Sequence, residues 1–244
     1  MIPKIIHYCW FSGDKKPQTI RRCVDSWKRI MPDYTIKCWD SNSFDFDSVS
    51  FVREAMNVKQ YAAASDYVRL YALYTEGGIY FDSDVMVYKP FDELLDNQFF
   101  CGTEAFEVEH EVHYRMEAAI MGAQKNMPFV KECMSYYENN NFIKKDGAYD
   151  NSSKVMPDVI SEAGERHGYV RENKLQKKSN GITVYPTSFF SNSICFDASN
   201  SENLYAIHLN SGSWINYKGR GKLFHFCRKH DLMHLYHCIE RLRS

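Results

Sequence analysis

The stretch Gly77-Gly78-Ile79-Tyr80-Phe81-Asp82-Ser83-Asp84-Val85-Met86-Val87-Tyr88 decides how the chain is read. Upstream of it, residues 58–76 contain neither Pro nor Gly, and Ala64, Val68, Tyr71 and Thr75 share one helical face. A helix is therefore predicted to stop at the glycine pair. The β-prone triplet Ile79-Tyr80-Phe81 reads as a strand and residues 85–88 as a second, closed by Pro90. Helix, glycine stop, apolar strand and acidic turn, in that order, put Asp82 and Asp84 at the carboxyl end of a strand, where α/β sheets bind ligands. On extended backbone two carboxylates two residues apart point to the same side. Such a pair suits a hard divalent cation, Mg²⁺ or Mn²⁺, when substrate phosphates and waters fill the other positions. The competing reading is a solvated acidic turn.

Outward from this stretch the pattern stays α/β. Residues 2–10 are an apolar run entering the loop Ser12-Gly13-Asp14 and read as a buried strand. Residues 17–30 read as a helix whose stripe Ile20, Val24, Trp27 and Met31 can pack on a sheet, and Pro32-Asp33 stops it. Residues 34–39 alternate as a half-buried strand does, so the opening is strand, helix, strand with room for a right-handed parallel crossover. Further strands are predicted at 97–103, 118–122, 182–185 and 204–208, and a helix at 128–137. Residues 138–181 are polar and read as a loop-and-helix excursion. Leu232, Leu235, Tyr236, Ile239 and Leu242 give a C-terminal helix an apolar face. No internal repeat appears.

Composition narrows the function classes. The chain has 244 residues, 44% of them hydrophobic, which is enough for one sizeable core. The 30 basic residues against 31 acidic ones give a net charge of −1, without the positive field that a dedicated nucleic-acid protein needs. Collagen, coiled coil and wholesale disorder are excluded as well. Aromatic residues make up 15%, a share that suits a cleft lined with flat, partly polar surfaces. The N-terminus lacks a leader pattern, and no apolar run approaches the ~20 residues of a spanning helix. A soluble, unexported, cytoplasmic protein is expected. Its eight cysteines include no C-x-x-C pair, which argues against a zinc site and predicts buried thiols.

Three segments carry a family resemblance. Ala64-Ser65-Asp66-Tyr67-Val68-Arg69 through Gly77 to Val85 resembles the DXD sugar-binding region of family 32 glycosyltransferases. That family includes bacterial capsular and surface-polysaccharide transferases and fungal initiating mannosyltransferases, and it is related to the glucosylating domain of large clostridial toxins. The opening Ile2-Pro3-Lys4-Ile5-Ile6-His7-Tyr8-Cys9-Trp10 is similar to the family's first strand, and Tyr205-Ala206-Ile207-His208 to Ser213-Trp214 resembles its closing motif. The segment from about 104 to 181 resembles nothing assignable.

The resemblance implies a GT-A fold, Rossmann-like and single-domain, that moves a hexose from a nucleotide sugar, UDP-hexose favoured. The acceptor it implies is a saccharide or lipid-linked saccharide in surface-polysaccharide synthesis, and anomeric configuration is retained. Residues 1–103 would bind the nucleotide sugar, 104–215 would form the acceptor side and closing motif, and 216–244 a basic helical tail. By the same resemblance Asp84 ligates the metal directly, Asp82 contacts ribose, sugar and metal-bound water, and His208 is the third metal contact. Ser213 and Trp214 would close over the diphosphate, although the toxin pattern has one residue between them. Tyr80 matches a donor-site tyrosine.

Each of these residues also has its own chemistry. Trp10 ends a strand, where an indole either stacks on a nucleobase or packs into the core. Asp66 and Arg69, three apart on a helix, form either a surface ion pair worth ~0.3–0.5 kcal/mol or, as the family resemblance implies, a donor-sugar contact in which the carboxylate accepts from hydroxyls and the guanidinium donates. His208 is a structural histidine or a metal ligand. His230, His234 and His237 have helical spacing but no carboxylate partner. Lys218, Arg220, Lys222, Arg228, Lys229, Arg241 and Arg243 make the tail either a solvated helix or a peripheral anchor on the inner face of an anionic membrane. Two other functions compete. A metal-dependent nucleotidyltransferase would need a phosphate loop, for which Ser12-Gly13-Asp14-Lys15-Lys16 is the candidate, and a non-catalytic sugar-binding subunit would tolerate loss of the metal ligands.

Overall fold

In the computed structural model, residues 1–143, 154–192 and 202–210 are described. Met1–Leu209 form one compact unit. The predicted opening is present as β1 (Ile5–Cys9), α1 (Gln18–Ile30) and β2 (Thr35–Trp39), with β1 and β2 parallel and in register from Ile5↔Thr35 to Cys9↔Trp39. Two helices follow, α2 (Ser50–Asn57) and α3 (Tyr61–Glu76). The sequence reading did not include α2, and it started α3 three residues early. Lys59, at φ +59°, turns the backbone before α3 begins.

Beyond the glycine pair come β3 (Gly78–Phe81), β4 (Val85–Val87), β5 (Phe99–Val108), β6 (Glu111–Ala123), α4 (Pro128–Glu138), α5 (Met156–Arg166), β7 (Gln176–Lys177), β8 (Ile182–Tyr185), β9 (Phe190–Asn192) and β10 (Ala206–His208). The main sheet has seven strands in the order β2-β1-β3-β6-β5-β8-β7. It is parallel at β2-β1, β1-β3 and β5-β8, and antiparallel at β3-β6, β6-β5 and β8-β7. A second sheet, β4-β10-β9, holds the strand that the sequence reading set beside β3. The two short strands flanking the acidic turn thus belong to different sheets.

Alternation along each strand divides the core between two faces. Ile6, Tyr8, Ile79, Phe81, Phe100 and Ile120 pack with Trp27 of α1 and with Val85 and Val87 of β4. Tyr80, Phe99, Cys101 and Met121 pack on the opposite face with α3 residues such as Val68 and Leu70, and with α4 and α5. Period-two burial on both faces requires helices or a second sheet over each, and both are present. Helix α1 also fixes β4: the Trp27 indole donates to the Val85 carbonyl at 2.8 Å, and Val87 N–H donates to the Ser26 hydroxyl at 3.1 Å.

Gly77 and Gly78 stand at φ +70° and +112°, and a Cβ on Gly78 would lie 2.6 Å from the Ile5 carbonyl oxygen. Only glycine lets α3 turn into a strand this close to β1. Strands β5 and β6 extend well past the predicted 97–103 and 118–122 as a hairpin that turns at Glu109 and His110, both at positive φ. Polar cross-strand pairs such as Glu104 with Arg115 hold it, at 2.9 Å. The cysteine reading holds in part: Cys23, Cys101 and Cys133 are buried thiols, while Cys9 and Cys38 are partly exposed, and all five are free. Among the described residues no helix is long and apolar enough to cross a membrane.

Candidate metal centre

Asp82 and Asp84 do not lie on extended backbone as expected. Asp82 N–H donates to the Ala119 carbonyl at 2.8 Å, and its own carbonyl accepts from Val85 N–H at 3.0 Å, so the pair sits on a tight turn. Convergence comes from the second sheet instead. Antiparallel pairing of β4 with β10 sets His208 opposite Val85, and Leu209 N–H donates to the Asp84 carbonyl at 3.1 Å. His208 Nε2 then lies 3.3 Å from Asp84 Oδ1 and 3.8 Å from Asp82 Oδ2. One donor atom from each of Asp82, Asp84 and His208 falls within 4.8 Å of the others.

Helix α3 delivers Asp66 and Arg69 to the same place. Arg69 Nη2 is 2.9 Å from Asp66 Oδ1, and Nη1 is 3.3 Å from Asp82 Oδ1. Its remaining N–H groups donate to the Ser65 carbonyl, the Ser65 hydroxyl and the Ala118 carbonyl at 3.2, 3.0 and 2.9 Å. Three guanidinium N–H groups thus donate to protein oxygens, Asp66 and Asp82 add ion-pair contacts, and the group lies 4.7 Å from the Tyr80 ring centroid. The Tyr80 hydroxyl donates to Asp82 Oδ1 at 3.0 Å. Arg69 acts here as the brace of two carboxylates. Of the two sequence readings of the Asp66–Arg69 pair, the geometry shows the ion pair, with Arg69 buried and reaching the acidic turn.

The sequence reading did not single out Glu117. Between Cys101↔Met121 and Thr103↔Met116, β5 advances two residues while β6 advances five, so β6 bulges there. The bulge aims the Ala118 carbonyl at Arg69, the Ala119 carbonyl at Asp82, and the Glu117 carboxylate at His208 Nδ1, 3.6 Å away. The signal was one acid inside the apolar run Met116-Glu117-Ala118-Ala119-Ile120-Met121. Ser65, which braces Arg69, carried no signal beyond its place one residue before Asp66.

The cluster holds more negative than positive charge: Asp66, Asp82, Asp84 and Glu117 face Arg69 and His208. Burial pushes the Asp66 carboxyl up to about 7 against the pull of Arg69. It does the same to Glu117, also to about 7, against the pull of His208. Burial alone would lower the His208 imidazole, but Asp84, Glu117 and Asp82 together raise it well above its ordinary value. Two carboxylate oxygens and an imidazole nitrogen form a donor set that suits Mn²⁺, and the surplus negative charge supplies the compensation a divalent ion needs.

Trp10 follows β1, its N–H donating to the Trp39 carbonyl at 2.8 Å. The indole is partly buried, Nε1 donates to the Asp14 carbonyl at 2.8 Å, and Lys16 Nζ lies 5.6 Å from the ring. The loop read as a candidate phosphate cradle is thus folded onto Trp10. The preceding residue, Cys9, lies against Arg69 and Tyr80. Ser213, Trp214, the three tail histidines and the basic C-terminal segment lie outside the described residues.

Residues 17–101 match the family described as the glycosyltransferase sugar-binding region containing a DXD motif, a span that includes Asp66, Arg69, Asp82 and Asp84. Over 236 residues the chain is 24% identical to an uncharacterized glycosyltransferase of Acanthamoeba polyphaga mimivirus, covering 92% of this chain and 88% of that one. It is 32% identical over 101 residues to inositol phosphoceramide mannosyltransferase 3 of Schizosaccharomyces pombe, covering 38% of this chain and 27% of that protein. Among solved structures, it resembles the PaToxG glycosyltransferase with a TM-score of 0.50 at 20% identity, over 68% of this chain and 69% of that one. It also resembles the glycosyltransferase GlyE of Streptococcus pneumoniae with a TM-score of 0.50 at 10% identity, over 90% of this chain and 57% of that one. The fold is GT-A.

Proposed function

We propose that this chain, a glycosyltransferase with a DXD-containing sugar-binding region, uses a divalent metal to transfer a hexose from a nucleotide sugar to a saccharide or lipid-linked saccharide acceptor. The reading assigns it to family 32 and to surface-polysaccharide synthesis, with a UDP-sugar donor and retention of anomeric configuration. The observation that carries it is the convergence of Asp82, Asp84 and His208, with donor atoms within 4.8 Å of one another, beside a buried Asp66–Arg69 pair. The name of the fission-yeast relative, a mannosyltransferase, supports a hexose as the group moved.

Breaking an anomeric C–O bond is slow because a diphosphate must leave with its negative charge. A divalent cation held by Asp84, Asp82 and His208 would neutralise that charge as it develops. The chain's residues do the orienting. Arg69 and the Tyr80 hydroxyl both hold Asp82 Oδ1, so the other oxygen, Oδ2, is left facing His208. Asp66, partly exposed beside Arg69, is positioned to accept from sugar hydroxyls and to fix the anomeric carbon for attack. Trp10 would stack on the base, residues 1–103 would hold the donor, 104–215 would face the acceptor, and Ser213 and Trp214 would close over the diphosphate. No residue pair among the described residues commits the chain to a covalent double displacement, and a front-face reaction, in which the departing phosphate helps to deprotonate the acceptor hydroxyl, is the mechanism proposed.

A donor screen tests the reading: UDP- and GDP-hexoses with Mn²⁺, product mass as the readout, and donor hydrolysis followed while no acceptor is known. Turnover of one donor class is expected, lost in EDTA, restored by Mn²⁺ or Mg²⁺ and absent in Asp84→Ala. Full activity in EDTA would end the metal-dependent reading, and transfer of labelled nucleoside monophosphate instead of sugar would make the chain a nucleotidyltransferase.

A further inference from the structure

We infer that Glu117 is a positioning residue for His208, taking its Nδ1–H so that the Nε2 lone pair faces a divalent cation at Asp82 and Asp84. The inference deepens the metal reading above and rests on it. Glu117 is 3% exposed, and neither of its carboxylate oxygens has a hydrogen-bond partner among the described residues. Its nearest opposite charge is His208 Nδ1, 3.6 Å from Oε1, while the other nitrogen of the same ring points at Asp84 and Asp82. The imidazole is thus aligned between a buried carboxylate behind it and two carboxylates in front.

Burying a carboxylate without hydrogen bonds is unfavourable, and among the described residues His208 is the cation that offsets Glu117. The surrounding backbone nonetheless accommodates the group. The β6 bulge removes Glu117 from the β5 ladder, and Gly102, opposite it, leaves space that a side chain would fill: a Cβ there would lie 2.9 Å from Glu117 Oε2 and 3.1 Å from Phe190 Cβ. A histidine that ligates a metal through one nitrogen ordinarily donates its other N–H to a carboxylate or carbonyl, which fixes its tautomer and orientation. Glu117 occupies that place. It would act through the ring of His208 and touch neither sugar nor phosphate.

The test is Mn²⁺ binding by the purified full chain, read from the paramagnetic resonance signal of the unbound ion, with thermal melting alongside. Wild type, Glu117→Leu, Glu117→Gln and His208→Ala are compared. Glu117→Leu is expected to weaken Mn²⁺ binding about 10- to 100-fold while melting at or above the wild-type temperature, because an uncompensated buried carboxylate has been removed. A residue needed only for packing would lose melting temperature instead. Glu117→Gln keeps an acceptor for Nδ1–H and should fall between Leu and wild type. Wild-type affinity in folded Glu117→Gln and Glu117→Leu, with binding lost in His208→Ala, overturns the inference and leaves the metal site standing. If Glu117→Leu does not fold, wild-type affinity in Glu117→Gln overturns it alone. Unaltered binding in His208→Ala, or no binding by wild type, overturns both readings together.

Discussion

Two buried polar networks lie side by side under α3, and they are built on opposite terms. His7 and Tyr80 are register partners on β1 and β3, yet each belongs to a different network. Around His7, the Trp39 indole donates to Nδ1 at 3.1 Å and the other ring nitrogen donates to the Gly77 carbonyl at 2.8 Å, which defines a neutral imidazole protonated at Nε2. Lys37 and Glu76 pair beside it at 2.5 Å and cancel in charge. Around Tyr80, among the described residues, four carboxylates share one arginine and one histidine, and the Glu117 oxygens have no hydrogen-bond partner. The first network is complete by itself and serves to fasten β1, β2 and the end of α3. The second holds more carboxylates than cations among the described residues, and the metal proposed for it would supply the missing positive charge.

The strongest way to break the comparison is to remove the brace of the second network. Arg69→Lys leaves Asp66 and Asp82 without the guanidinium fork, and it should cost roughly 3–5 kcal/mol in stability. Chemical denaturation measures this, and a loss below about 1 kcal/mol would mean that Arg69 is not the brace. Asp66→Ala, by contrast, should fold and bind nucleoside diphosphate nearly as wild type while sugar transfer falls by orders of magnitude if, as proposed, its carboxylate orients the sugar and contributes little to diphosphate affinity. Calorimetry with UDP beside turnover decides it, and near-wild-type turnover would return Asp66 to a purely structural role.

Trp10 sharpens the comparison at its edge. Its indole N–H is already satisfied by Asp14, as the His7 network would have it, yet the ring remains partly exposed. Trp10→Ala should weaken UDP or GDP affinity by ~1–3 kcal/mol if the ring stacks on the base. Unchanged affinity in a folded variant would assign Trp10 to the core.

The smallest effect belongs to the complete network. Burial lowers the His7 pKa below its ordinary value, so the folded state binds fewer protons than the unfolded state in the range below pH 6.5. Its contribution is therefore full above that pH and is lost as pH falls from there through the depressed folded value. His7→Gln should be less stable than wild type by about 1 kcal/mol at pH 8, and the gap should narrow at pH 5. Asp66, Glu117 and His208, with raised values, act in the opposite sense over part of this range but are common to both proteins, so the difference isolates His7. A gap that stays constant with pH would mean that His7 is not neutral in the folded protein.

Much of this was legible in the residues, for reasons that can be named. The stripe Ile20, Val24, Trp27 and Met31 and the glycine pair after Glu76 are local signals, and the elements they mark formed within a few residues of where they were predicted. Asp82, Asp84 and His208 were each marked, but the turn that joins the first two and the β4–β10 pairing that brings in the third are long-range events with no local signature. The β5–β6 hairpin was missed because Glu109-His110 is not a glycine-bearing turn and because residues such as Arg115 and Glu104 face partners visible only once folded. Glu117 was missed because a bulge has no pattern of its own: the acid looked like one polar position in an apolar strand.

Strand β4 has a further consequence for how such a chain comes off the ribosome. Its partner β10 lies 208 − 84 = 124 residues downstream of the acidic turn. Until Ala206 to His208 emerge, β4 has no neighbour within its sheet, and the turn before it lacks its imidazole. A nascent or prematurely released chain can thus fold α1 and the first strands of the main sheet while offering a bare strand edge, open to aberrant pairing, and no assembled metal centre. If the proposed metal centre is required, competence is withheld until synthesis has passed residue 208, and early-terminated products are expected to be inert toward a donor rather than weakly active.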